Sequence, residues 1–193
     1  MVSAAPIGTV PIRATRTVVV YGQSVTLVGR VVGAPTGEPV TIIEQPLDAS
    51  ARARPNAAAT SSTGAWTYVA RPTTRTTYQA QIRGRTSAAV TVLVRPRLQL
   101  RRIGPGRVSL RIYAGRSFAS KRALVQRWNS NRGRWVTIRT VRLKSTRLGR
   151  PPTAVSAATF RTRTPRGTFV RVVLPSRQAG LGYLTGTSNR VRT

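Results

Sequence analysis

At 193 residues the chain can hold one large or two small domains, and its 40% hydrophobic content is that of a folded protein, not a disordered tail. With no histidine and no cysteine, imidazole relays, zinc–thiolate centres, thiol nucleophiles and disulfides are all excluded. Thirty-three basic residues stand against three acidic ones, a net charge of +30, and so few carboxylates for internal pairing point to a polyanion in the surroundings.

A GC-rich genome favours arginine over lysine codons, which accounts for Lys121 and Lys144 being the only lysines. It does not account for the loss of acids, of which only Glu38, Glu44 and Asp48 remain. Residues 1–96 carry ten arginines and all three acids; residues 97–193 carry 21 arginines, both lysines and no acid. The positive field therefore belongs mainly to the second half.

In chain order, the leading stretch MVSAAPIGTVPIRAT (1–15) has neither a basic n-region nor an apolar h-region. It is expected to be an extension, not a signal peptide. No apolar run is long enough to span a membrane. From there on the pattern is β: short alternating runs rich in Val, Ile, Thr and Tyr, punctuated by Gly, Pro, Ser and Asn. Strands are expected at 17–21, 24–32, 39–45, 65–70, 76–82 and 88–94. In the second half they are expected at 98–103, 107–114, 123–128, 135–143, 157–163, 168–174 and 188–192. Regular short strands of this kind predict an all-β sandwich or barrel.

The halves also match each other. SVTLVGRV (24–31) aligns with RVSLRIYA (107–114), setting Val25 over Val108 and Leu27 over Leu110. At the same offset PVTII (39–43) falls on RALVQ (122–126). TTYQAQI (76–82) is set against GTFVRVV (167–173), and TSAAVTV (86–92) against TSNRVRT (187–193). The growing offset predicts two insertions in the second copy: a strand pair around 127–143, and SRQAGLGYLTG (176–186). Arg95-Pro96-Arg97 interrupts the ladder between the copies, so domains are expected at 16–96 and 97–193.

On GQSVTLVGRV, EPVTIIEQ and GAWTYVARPTTRTTYQAQIRGRTSAAVTVLV, followed by GRVSLRIYAG, KRALVQRW, GRWVTIRTVRL, GTFVRVV and GTSNRVRT, each half resembles a bacterial immunoglobulin-like repeat of secreted and cell-surface proteins. The resemblance covers nearly everything after the first fifteen residues. It implies two tandem immunoglobulin-like β-sandwich domains and an extracellular or cell-surface setting. Phe169 falls where the first copy has Tyr78, and Arg171 where it has Ala80. A one-residue slip that turns Val170, Val172 and Leu174 inward is expected to resolve the second mismatch.

The segment RWNSNRGRWVTIRTVRLKSTRLGR (127–150) combines two tryptophans with an arginine run and no acid. Asn129-Ser130-Asn131-Arg132-Gly133 supplies a turn, so the segment is read as a hairpin. Trp135 is expected to pack in the core or at an edge, with Trp66 near the matching place in the first copy. Trp128 stacks on bases only if it is exposed beside arginines. On a sheet with one wet face, Arg107, Arg111, Arg127, Arg139, Arg142, Arg161 and Arg163 are expected to form a guanidinium grid, extended by Arg134 and by Lys144, Arg147 and Arg150 of the loop KSTRLGR. Such a grid suits phosphate, sulfate or carboxylate groups on a polymer, held with little sequence discrimination and strong salt dependence.

Chemistry is sparse. A glycosidase requires two carboxylates across a cleft, and the three acids sit on one strand and its loops. Neither lysine lies in a nucleophile motif, and Gly104-Pro105-Gly106 and Gly180-Leu181-Gly182 are turns with no helix after them. The expectation is a non-catalytic protein without metal or cofactor. Its role is structural or adhesive, presenting arginine to cell-wall polysaccharide, lipid headgroups or extracellular nucleic acid, with self-association into filaments through strand edges as a variant. The alternative is a nucleic-acid-binding or virion structural protein that uses its charge to neutralise phosphates.

Overall fold

The computed structural model describes residues 10–47, 53–146 and 148–193. The chain is nearly all β and divides into two compact units, with the break between Val94 and Arg95.

The first unit contains β1 (Arg13–Ala14), β2 (Val18–Val20), β3 (Val25–Arg30), β4 (Pro39–Pro46), β5 (Arg54–Ala59), β6 (Ala65–Ala70), β7 (Thr76–Ile82), β8 (Arg85–Thr86) and β9 (Val90–Arg95). They form one sheet in the order β1-β3-β6 and a second in the order β2-β9-β7-β4-β5, with β8 beside β7. The second unit contains β10 (Arg97–Gly104), β11 (Arg107–Ala114), β12 (Arg122–Asn129), β13 (Arg134–Arg142), β14 (Lys144–Ser145), β15 (Ala154–Arg161), β16 (Phe169–Leu174), a short helix α1 (Ser176–Ala179), β17 (Gly186–Thr187) and β18 (Val191–Arg192). Its sheets run β10-β11-β15-β14 and β13-β12-β16-β17, with β18 also on β16.

Period-two patterning accounts for the cores. In β7 every second residue is buried (Thr76, Tyr78, Ala80 and Ile82), and in β16 so are Val170, Val172 and Leu174. Neighbouring and facing strands repeat the pattern with Val40 and Ile42 in β4, Val25 and Leu27 in β3, and Val108, Leu110 and Ile112 in β11. Two sheets per unit, each with one buried face, are compatible with a β-sandwich.

The two units share one strand plan: β1-β3-β6 corresponds to β10-β11-β15, and β5-β4-β7 to β13-β12-β16. Side-chain volume is redistributed between equivalent cross-strand pairs. Gly29 lies opposite Trp66 in the first unit, where the second has Ile112 opposite Ser156. Similarly Val25–Ala70 becomes Val108–Phe160, and Leu27–Tyr68 becomes Leu110–Ala158. A large residue on one strand is matched by a smaller one on its partner, which keeps the inter-sheet space filled.

Two expectations are corrected. The strand pair around 127–143 is no insertion, because β5 of the first unit pairs with β4 as β13 pairs with β12. Trp66 and Trp135 are not equivalent, since Trp66 belongs to β6, whose counterpart is β15. The direct pairing of Phe169 with Tyr78 gives way to Val170 with Tyr78, the one-residue slip that Arg171 over Ala80 required.

Candidate polyanion-binding surfaces

The expected arginine grid divides among several places, set by strand register. Cross-strand partners share a face. On the outward face of β10-β11-β15-β14, Arg97 pairs with Tyr113, Gln99 with Arg111, Arg101 with Ser109, and Arg107 with Arg161. Lys144 of β14 joins through Ala157, which lies between it and Arg111. Six exposed cations thus share one face: Arg97, Arg101, Arg107, Arg111, Lys144 and Arg161. Four of these belong to the expected grid; Arg97 and Arg101 were missed, although Arg-Leu-Gln-Leu-Arg alternates cleanly.

Two features fix this face. The Arg97 guanidinium lies 4.5 Å from the centroid of the Tyr113 ring, whose hydroxyl donates to Gln99 Oε1 at 3.3 Å. Asn189 clamps the β10 edge from the last segment, accepting from the Leu100 N–H at 2.8 Å and donating to its carbonyl at 2.9 Å. Opposing them is repulsion. Arg107 and Arg161 are direct cross-strand neighbours, a like-charge arrangement that destabilises a sheet unless something neutralises it.

The remaining grid members lie elsewhere. Arg142 pairs with Arg122 on the outward face of the other sheet. Arg127 is on the core-side face with Ala123 and Val125, and Arg139 lies opposite Val125. A β-bulge that leaves Ile138 without a cross-strand partner then brings Val136 and Arg134 to that same side, Arg134 at the hairpin end. Arg163 follows β15 in a left-handed conformation, φ 48°. Arg127, Arg139 and Arg163 meet at a cleft of about 690 Å³ that opens at one edge of the sheets. Arg150 is exposed in the loop before β15, and Arg147 lies outside the described residues.

The tryptophans occupy a third surface. Trp128 and Trp135 are cross-strand neighbours on the outward face of β13-β12-β16, packed edge to face with centroids 5.5 Å apart. Trp135 is half-buried and Trp128 is 37% exposed, so neither is a core residue. Val170, Val172 and Leu174 face inward, as the expected one-residue slip requires, and this frees Arg171. It points outward, its guanidinium 4.4 Å from the Trp135 ring centroid and its Nε donating to Gln126 Oε1 at 2.9 Å. Partial burial lowers its pKa from the ordinary guanidinium value. Arg190 and Arg192 cover Phe169 at 5.0 and 5.2 Å. The expected slip already turns Phe169 outward; what the sequence did not reveal is that Arg190 and Arg192 close over it.

Of the acids, Glu38 is held by Arg83 through two hydrogen bonds, 2.9 Å from Nε and 2.7 Å from Nη2. That pairing draws its carboxyl below the ordinary range. Glu44 is half-buried; it accepts a long 3.5 Å hydrogen bond from Asn56 and faces Arg54, and burial pushes its pKa up. The nearby Tyr78 hydroxyl is sealed from solvent without a sound hydrogen bond, and burial raises it too. Asp48 lies outside the described residues. Neither protein-family profiles nor curated proteins match this chain significantly.

Proposed function

We propose that this is a non-catalytic structural or adhesive protein of the cell surface or extracellular space, built from two immunoglobulin-like β-sandwiches, whose second domain holds anionic polymers on an arginine-covered sheet. One observation carries the reading: the outward face of β10-β11-β15-β14 presents six cations, and the second half of the chain has no acid to neutralise them. The equivalent face of the first domain supplies an internal comparison. Val28 stands where the second has Arg111, and Ser24 where it has Arg107, while the core positions between them stay apolar. That face of the first domain does carry Arg13, Arg30 and Arg71, so the second copy adds charge at the two β11 positions.

Arginine binds phosphate, sulfate and carboxylate groups with paired donors and is weakly hydrated, so association is driven by counterion release. The test is retention of the full chain on heparin, duplex DNA and anionic liposomes across a salt gradient. The expected result is strong retention that falls steeply with salt and weakens when Arg101, Arg107 and Arg111 become glutamine. Retention unchanged by that triple substitution would overturn the reading.

The aromatic–arginine row favours a second reading, single-stranded nucleic acid, because an exposed tryptophan beside guanidinium groups offers a base-stacking platform. Quenching of tryptophan fluorescence by oligo-dT, but not by heparin, and its loss in Trp128→Ala, distinguishes the two.

A further inference from the structure

We propose that the cleft between Arg127, Arg139 and Arg163 is a discrete site for one phosphate or sulfate monoester group. It rests on the reading that the second unit meets anions, and it goes further in specifying a pocket where that reading needs only a surface.

The inference starts from residues in the wrong place for a core. Along β12 the inward positions run Ala123, Val125 and then Arg127. Along β13 they include Arg139, directly across from Val125. Two arginines therefore stand on the sheet face that elsewhere packs hydrophobic side chains; Arg127 is half-buried, and Arg139 and Arg163 reach solvent at the cleft mouth. Withdrawing a cation from water is costly without a partner, and no Asp or Glu side chain exists in residues 97–193 to pair with Arg127. A bound anion supplies the counter-charge that these side chains lack.

The local geometry is prepared for it. Arg139 is fixed, its Nη1 donating to the Arg161 carbonyl at 3.0 Å while its guanidinium lies 5.9 Å from the Phe160 ring centroid. That leaves its other N–H groups for the cleft. Arg163 adopts a left-handed backbone that a non-glycine residue takes up only at a cost. Thr140, Thr162 and Thr164 complete a polar lining. Forked donors and hydroxyl groups at one end of this open cleft suit a tetrahedral oxyanion, with room beside it for the rest of the polymer.

The experiment follows backbone amide shifts of the full chain while inorganic phosphate or sulfate is added, with chloride at matched ionic strength as the control. The expected result is a saturable shift at Thr162, Arg163 and Thr164, with a midpoint raised at least tenfold in Arg127→Gln and in Arg163→Gly. Arg163→Gly relieves the backbone cost, so it keeps the fold; Arg13→Gln in the first unit leaves the midpoint unchanged. Glucose 6-phosphate and glucose 6-sulfate then tell which ester is the better ligand. A shift that never saturates, that survives both cleft substitutions, or that neither ester reproduces overturns the site. Heparin retention without a saturable cleft removes this proposal alone, whereas loss of both removes the broader reading.

Discussion

Ser188 closes a ring of hydrogen bonds on Val172: its N–H donates to the Val172 carbonyl at 2.9 Å, and its hydroxyl accepts from the Val172 N–H at 2.9 Å. The same hydroxyl donates to the Asn189 carbonyl at 2.7 Å. Ser87 does the same to Ala80 in the first unit, at 2.8 and 2.9 Å, and donates to the Ala88 carbonyl at 2.8 Å. Both serines are buried and stand where a side chain replaces the partner strand. Ser87→Ala or Ser188→Ala strands a buried backbone N–H, a loss of about 1–3 kcal/mol. Chemical denaturation measures the loss, and faster hydrogen exchange at the Ala80 or Val172 amide locates it. Unaltered exchange would falsify the bridging role.

Trp66 is buried against Gly29, its cross-strand partner. A Cβ on Gly29 would come within 2.4 Å of the Trp66 ring and 2.2 Å of the Pro11 carbonyl oxygen. Gly29→Ala is therefore expected to destabilise the first unit by about 1–3 kcal/mol or more, the cost of overpacking. Gly22→Ala gives the comparison, since its Cβ meets nothing within 4 Å and only its backbone, φ 90°, is strained. Thermal melts in which Gly29→Ala is no worse than Gly22→Ala would rule out the packing account.

Strand positions were legible in the sequence because the apolar alternation is regular; each expected strand has a counterpart, with shifted ends. β5 was not legible. Its sequence Arg-Pro-Asn-Ala-Ala-Ala has no β-branched or aromatic residue, and its pairing with β4 holds it in place. The TSAAVTV/TSNRVRT alignment captured Ser87 over Ser188, whereas TTYQAQI/GTFVRVV was one residue out, an offset that Arg171 over Ala80 exposed in the sequence and that the inward Val170, Val172 and Leu174 bear out. At the site, the alternation of β11 revealed Arg107 and Arg111. Arg127 and Arg139 carry no mark of inwardness in a stretch where tryptophans and arginines alternate on both faces, and the bulge at Ile138 leaves no sequence signal.

Glu38 and Glu44 predict opposite pH dependences. Arg83 lowers the Glu38 pKa in the fold, so the carboxylate stabilises above its unfolded pKa, and that contribution is lost as pH falls through the lowered folded value. Burial raises Glu44, so its contribution is fullest below the unfolded pKa and is lost as pH rises through the raised folded value. Glu38→Gln is therefore expected to lower the Tm at pH 7 in low salt, with the gap closing in acid. Glu44→Gln is expected to raise the Tm at pH 7, with that gap also closing in acid. Melts at pH 3 to 7 check both; effects of the same sign at pH 7 would contradict the assignments.

The outward arginines of β10 and β11 separate binding from folding. If Arg101, Arg107 and Arg111 contact a polyanion, changing all three to glutamine removes up to three phosphate contacts, and the slope of log K against log salt for duplex DNA becomes shallower by about 2–3. Stability moves the other way. Arg107 sits directly across from Arg161 with no acid beside it, so relieving this like-charge pair leaves the Tm unchanged or raised at low salt. A purely solubilising surface gives the same rise in Tm with no selective change in slope compared with three glutamines placed at Arg13, Arg30 and Arg71 of the first unit. Filter binding at several salt concentrations, alongside melts of both triple variants, decides between them: a larger slope change for the β10–β11 set identifies that face as the one that meets the polymer.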